Sequence, residues 1–514
     1  MEASLQLKTT DLNAWMARDP VWGAPLWARL LLVAVALGLF GMRFGDRDLV
    51  PYILDEPKFQ DVAQRSAESG TWPTISPVVA SLGARYGPGP VLFFTAVHHL
   101  VGARPENSAL ATTFFLSVME LALAAALARA LRGGALLFAT LTALLAGSPF
   151  LFFWSRLAWD ALAGFTAGAV ALLATDRPIS VGRGLLIGGL LGLALASHPM
   201  TVPLSLGVLL VLGWEAVHRR TGARGLLAAV AALLLVNVPY LLALVHETRQ
   251  PSIPGQQSLS ARLLSVPGRL VGQLLEPARV LTTTGVDYFF DAAWPDFRGW
   301  LGAAAPLLAV GPALTVALAL AGVAGMLWAA RHGGPGIRRV ARVGLLAWFG
   351  LALLLSFLGL VIQPHYQLAA WWLVPAGVGA LAMALLPGHP RAARLVLGCV
   401  WALALAQASF DVAWMRWVRE RGGTAGVHYS VPLAAQRALL QAACSTDRPQ
   451  VALANRTYLF PESLLSLAQT EPACAGKRVA ICPGNCPVLD ARWRVVSVRY
   501  AAYPAGRLAP VASH

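Results

Sequence analysis

Two carboxylates stand side by side in Tyr52-Ile-Leu-Asp55-Glu56-Pro-Lys58-Phe59, soon after the first apolar run of the chain. Adjacent carboxylates repel and need a compensating charge, and Lys58 is the nearest one in sequence. A third carboxylate, Asp160, closes the stretch Ser155-Arg156-Leu-Ala-Trp-Asp160 where the chain enters another apolar run. An acidic group at the end of a membrane span costs little if it faces water and several kcal/mol if it faces lipid. Asp160 alone is explained by a solvated helix-end cap. The pair Asp55–Glu56 is harder to explain so, and a carboxylate in such a place is suited to proton transfer.

These groups have to be positioned by apolar elements. Of 514 residues, 57% are hydrophobic and 13% charged, and the mean hydropathy is +0.61. A soluble chain of this size would need more polar surface than that leaves. Runs such as Leu30–Gly41, Ala304–Ala330 and Val343–Ile362 are almost free of charge. Several are long enough, at 1.5 Å per helical residue, to cross a hydrocarbon layer about 30 Å thick. The net charge of +15 does not indicate nucleic acid, because arginine sits at the ends of apolar runs and forms no patch interleaved with aromatics. Arginine is concentrated in alternate loops: 129 and 132; 177 and 183; 219, 220 and 224; 331, 338, 339 and 342; 391 and 394. That alternation makes these loops cytoplasmic. Lys8, Arg18 and Arg29 place the N-terminus on the same side, and the first run, starting near Trp27, reads as a retained span with no cleavage site behind it.

Residues 1–26 therefore read as a cytoplasmic lead-in. Spans are expected near 27–44, 108–131, 135–150, 160–175, 184–198, 200–217, 225–245, 301–330, 343–362, 367–387 and 395–411, with Ser148-Pro149 and His198-Pro199 as breaks. Two long outer loops, 45–107 and 246–300, connect them. From about residue 412 the composition changes. Val451–Ala454, Arg478–Cys482 and Trp493–Val498 read as strands, and Pro461–Gln469 as a helix. An odd number of spans puts this tail, 412–514, outside. Four of five cysteines (Cys444, Cys474, Cys482, Cys486) fall there, which fits two disulfides in an oxidising compartment better than a four-cysteine zinc site. Cys399 lies in a span and reads as inert core.

The acidic pair after the first span, a long outer loop ending in Tyr86-Gly-Pro-Gly-Pro90, and the segment Ser148-Pro149…Ser155-Arg156…Asp160 together resemble the membrane glycosyltransferases of the GT-C class. The Gly-rich span closing on His198 and the late outer-face His365-Tyr366 add to the likeness. It is nearest to the protein O-mannosyltransferases and lipid A aminoarabinose transferases, and covers roughly residues 27–410. Close relatives often carry Lys-Pro-Pro where this chain has Tyr86-Gly-Pro-Gly-Pro90. The tail matches no motif of the class. The fold expected is an all-α polytopic GT-C-like membrane protein of about eleven helices, with a small α/β extracytoplasmic C-terminal domain.

The resemblance implies inverting transfer of a sugar from a polyprenyl-phosphate donor to a glycan, lipid or protein acceptor, on the outer face of a bacterial inner membrane. Asp55 would be the base, with Glu56 orienting the acceptor. Asp160 would hold a cation or help bind the acceptor. Lys58, Arg85, Tyr86, Arg156, His365 and Tyr366 would surround the donor phosphate. Some relatives hold a divalent cation on acidic residues, which here would fall to Asp55 and Asp160, although no spacing demands a metal. No nucleotide-binding motif is present in the sequence. Two other readings compete. A transporter or flippase would place ionisable groups mid-membrane, where only Glu120 stands. An O-antigen ligase or polymerase would lean on Arg249, Arg262, Arg269, Arg279 and His246 of the second long loop.

Overall fold

A computed structural model describes residues 25–52, 55–79, 84–85, 87–219, 222–246, 259–286, 289, 294–358, 363–421, 431–445, 450–455, 461–483, 493–500 and 508–511. The apolar runs are helices: α1 (Leu26–Met42), then α2 (Glu56–Ser69) and α3 (Gly89–Val101) within the first long loop, and α4 (Pro105–Ala130), α5 (Gly134–Ala146), α6 (Pro149–Ser155), α7 (Leu162–Leu173), α8 (Val181–Ser197), α9 (Val202–Arg219) and α10 (Ala223–His246). After them come α11 (Leu259–Arg279), α12 (Trp294–Leu301), α13 (Gly311–His332), α14 (Pro335–Leu358), α15 (Leu373–Leu385) and α16 (Pro390–Arg421). Among the described residues, six helical segments are long and apolar enough to cross a membrane, and a seventh is made if the bent pair α5–α6 is one span; five further apolar helices there are shorter. The chain is a multi-pass membrane protein.

Both expected breaks are present. At Ser148-Pro149 the axis turns by 69° between α5 and α6, and Ser148 Oγ accepts from the Leu151 N–H at 3.3 Å, capping the new helix. At His198-Pro199 the chain leaves α8 in extended backbone, makes one 3-10 turn (Pro199–Thr201) and re-enters a helix. Lipid gives helices no hydrophobic reason to associate, so close packing has to. A Cβ on Gly188 would lie 2.0 Å from the Ala229 carbonyl oxygen, which explains how α8 and α10 come together over most of their length.

The tail carries α17 (Leu433–Cys444), β1 (Gln450–Asn455), α18 (Pro461–Thr470), β2 (Arg478–Pro483), β3 (Trp493–Tyr500) and β4 (Leu508–Val511); the strands order β2-β1-β3-β4, with β1 parallel to both neighbours. α17 and β4 were not legible in the sequence. Cys444 and Cys474 form a disulfide; Cys486 lies outside the described residues. Cys399 is exposed on α16, so the expectation of a core cysteine is corrected. The second long loop, 246–300, was read from the sequence as a connection with no element assigned to it. Instead α11 accommodates Pro267 and Pro277 within an amphipathic helix packed on α14. The buried face outweighs the two lost backbone bonds.

Candidate functional site

Asp55 occupies the N-cap position of α2, yet its side chain makes no capping bond. Aspartate there ordinarily accepts from a first-turn N–H. Here Lys58 Nζ donates to Asp55 Oδ1 at 2.9 Å, and the carboxylate is 7% exposed. Glu56 is turned the other way and is 1% exposed. Its Oε1 accepts from the Ala158 N–H at 2.8 Å, and one turn on Gln60 Nε2 donates to the Ala158 carbonyl at 3.2 Å. The helix face bearing Glu56 and Gln60 thus grips the 156–161 turn through both backbone polar groups of one residue, Ala158. The sequence signal for Gln60 was its i+4 spacing from Glu56; it continues through Ser108 Oγ, which donates to Gln60 Oε1 at 2.6 Å, and His98 at 2.9 Å.

Beyond that turn is an aromatic wall. Trp154 stacks on Trp159 with ring centroids 5.4 Å apart and on His365 at 5.8 Å and 8° between planes. His365 lies 4.2 Å from the Tyr366 ring, and both face His198, at 5.9 and 5.4 Å. His198 Nδ1 accepts from the Met200 N–H, which satisfies one ring nitrogen with backbone, and burial holds the imidazole down at about 4. Burial also pushes the Tyr366 phenol up, leaving it a hydroxyl donor at neutral pH. Gly87 is pressed on the end of α8, where a Cβ would fall 2.5 Å from the Ala196 carbonyl oxygen. This fixes the end of the Tyr/Pro-rich turn beside His198. Tyr86 and the Arg85 side chain lie outside the described residues.

Two expectations about this cluster change. Arg156 donates to the carbonyls of Arg43 (3.2 Å), Gly45 (2.6 Å) and Asp46 (2.5 Å), and is fully buried. Its guanidinium therefore closes the C-terminal end of α1 and does not face the carboxylates. No cation among the described residues pairs with Asp160. Asp160 Oδ1 accepts from the Leu162 N–H (3.0 Å) at the start of α7 and from Trp154 Nε1 (3.3 Å). Asp160 is thus a helix-end carboxylate, but at 5% exposure a buried one and not a solvated one, with the added task of holding the tryptophan on which His365 stacks.

Burial pushes the Asp160 carboxyl up to about 6, against those two hydrogen bonds, which favour its charged form. The unfolded carboxyl titrates near about 4, so between about pH 4 and 6 the folded state binds more proton and stability falls as pH rises. Asp160→Asn keeps both acceptor bonds and removes the titration. It is expected to flatten the melting temperature against pH across that window and to raise it at pH 7. An unchanged slope would assign the titration to another group.

Sequence reasoning missed the contribution of the tail. Pro51 bridges Pro432, the Leu433 N–H donates to the Val50 carbonyl at 2.8 Å, and Gln436 Nε2 donates to the Tyr52 carbonyl at 3.0 Å. Tyr52 Oη lies 2.8 Å from Ser466 Oγ, which donates to Asp61 at 2.5 Å, and Arg437 pairs with Glu106. The tail holds residues 50–52 just before Asp55 and Asp61 just after it. A second missed feature starts from α11, joined to the aromatic wall by Gln367 Nε2 donating to Gln273 Oε1 at 3.3 Å. Beside Arg279 and Arg298 is a cavity of about 440 Å³, which shares the lining residues Thr283 and Leu308 with an apolar groove of about 240 Å³ along Leu314, Leu403 and Phe410. Among the described residues no three His, Cys, Asp or Glu side chains gather as a metal site would require.

The chain is similar to several solved structures. One is ArnT from Cupriavidus metallidurans bound to undecaprenyl phosphate, with a TM-score of 0.49 at 15% identity over 94% of this chain and 98% of that one. Another is the archaeal oligosaccharyltransferase AglB from Archaeoglobus fulgidus, in complex with an inhibitory peptide and a dolichol-phosphate. There the TM-score is 0.42 at 11% identity, over 89% of this chain and 64% of that one. No family model matches the chain, and no curated protein matches it.

Proposed function

We propose that the chain is an inverting glycosyltransferase that moves a sugar from a polyprenyl-phosphate donor to an acceptor hydroxyl at the outer face of a bacterial inner membrane. The observation that carries the reading is Asp55, a nearly buried carboxylate at a helix start that leaves its helix uncapped and is charge-matched by Lys58. A hydroxyl is too weak an acid to ionise unaided near pH 7, so its attack needs a base within hydrogen-bond reach. In the step proposed, the acceptor O–H passes its proton to the Asp55 carboxylate and its oxygen bonds to the anomeric carbon from the face opposite the phosphate. The anomeric C–O bond to phosphate breaks, and polyprenyl phosphate leaves with the electron pair.

Glu56 and Gln60 keep the 156–161 turn, and through it Trp154, at a fixed place beside Asp55. Tyr366 and His365 supply a hydroxyl and an aromatic face to the sugar or its phosphate. The groove along Leu314, Leu403 and Phe410 suits the first isoprene units of the carrier, with Arg298 near the mouth for the charge the leaving phosphate gains. A ligase or polymerase reading draws less support, because Arg279 of the second loop is already matched by Glu276 at 2.6 Å.

The test is a panel of polyprenyl-phosphate sugars offered to purified protein, with product followed by mass spectrometry and anomeric configuration by NMR. The expected result is consumption of one donor and a product of inverted configuration. Retention of configuration, or movement of intact lipid-linked substrate across liposomes without cleavage, would overturn the assignment.

A further inference from the structure

At the end of the bundle opposite Asp55, on the face that the arginine distribution assigns to the cytoplasm, three segments meet around a second kind of site. The last turn of α4, the 174–180 loop and the first turn of α8 enclose a cavity of about 440 Å³. Arg129, Arg177 and Arg183, one from each segment, line it. None of the three guanidinium groups makes a hydrogen bond or ion pair among the described residues. Arg183 is repelled by Arg129, Arg177 and the nearby Arg339. Arg339 shows how the fold treats a cation it needs for itself: it is buried, paired with Glu215 at 2.7 Å, and donates to the carbonyls of Leu173 and Thr175.

The carboxylate on the cavity wall does not neutralise the three. Asp176 Oδ1 accepts from the Gly336 N–H at 2.9 Å and so serves the start of α14. Three guanidinium groups gathered around one concavity outnumber the single Asp176 carboxylate and repel one another, and a bound anion with several acceptor oxygens relieves that repulsion. The rest of the wall is apolar, with Ala126, Ala130 and Leu172. We propose that this cavity binds a phosphate-bearing ligand, its phosphate oxygens taken by Arg129, Arg177 and Arg183. The source is either the headgroup of an anionic phospholipid in the cytoplasmic leaflet or a soluble phosphate ester. This site is separate from the reading of the outer face and survives its failure.

The experiment uses the full chain in nanodiscs of phosphatidylcholine mixed with phosphatidylglycerol, released and weighed by native mass spectrometry. Wild type is expected to retain phosphatidylglycerol. R129Q/R177Q/R183Q is expected to retain at least about tenfold less, while R331Q/R342Q/R391Q, which removes the same charge elsewhere on that face, stays within about twofold of wild type. A second arm titrates inorganic phosphate into protein in phosphatidylcholine alone and follows the phosphorus NMR line width. Retention of the lipid identifies a headgroup site; phosphate binding without lipid enrichment identifies a soluble ester, and either supports the proposal. No binding in either arm, or an equal loss in both triple variants, overturns it. Should the first triple variant misfold, R183Q alone is compared with R331Q in the same assay.

Discussion

Asp55→Asn is expected to bind the lipid-linked donor about as tightly as wild type and to turn it over at least about a hundredfold more slowly. The swap keeps the shape of the side chain and leaves Lys58 a partner in the amide oxygen, so the local fold is preserved. What it removes is the basic oxygen. General-base catalysis contributes typically about 10²–10⁴-fold, and an amide cannot take a proton from a hydroxyl near pH 7. The assay separates donor affinity, by equilibrium binding, from single-turnover product formation. Equal turnover would leave the transferase reading standing but dismiss Asp55 as the base. A loss of binding with unchanged turnover of bound donor would make Asp55 a recognition group.

The second large effect lies within the bundle. Arg43 at the C-terminal end of α1 donates to Glu120 of α4 at 2.8 Å, and both side chains are fully buried. Arg43 also donates to the Leu145 carbonyl at the end of α5, and its own carbonyl receives Arg156. Asp411 of α16 lies close enough to feel both arginines, so the cluster holds two cations and two carboxylates. Glu120→Leu strands Arg43 without its partner and is expected to cost about 3–5 kcal/mol, read as a large fall in apparent melting temperature in detergent. Arg43→Met combined with Glu120→Leu is expected to recover most of that loss, because it removes both charges of the buried pair together. If the double variant is no more stable than Glu120→Leu, the ion pair is not the element being broken.

The cluster also shows what one sequence could and could not convey. The apolar runs, their breaks at Ser148-Pro149 and His198-Pro199, and three strands and one helix of the tail were legible because each depends on local periodicity or on proline. Lys58 beside Asp55 was legible for the same reason, at a spacing of three residues. Arg156 was not, since its partners are carbonyls more than a hundred residues away, and an arginine at the edge of an apolar run reads alike whether it binds a ligand or closes a helix end. α11 was obscured by its own prolines, and the hold of the tail on residues 50–52 rests on backbone contacts that leave no mark on residue type. Cys399 failed in the opposite way, because a span in lipid has an outward face as apolar as its inward one.

The grip of residues 432–466 on the peptide before and after Asp55 has a consequence for how the protein is made. A ribosome completes the carboxylate pair hundreds of residues before it reaches residues 432–466, which hold it in place. On the proposed topology they must then be exported across the membrane, and the Cys444–Cys474 bond closed, before the site is whole. A nascent chain, or one truncated before residue 432, would carry the reactive groups without holding them, so activity would begin only once residues 432–474 had been made and exported.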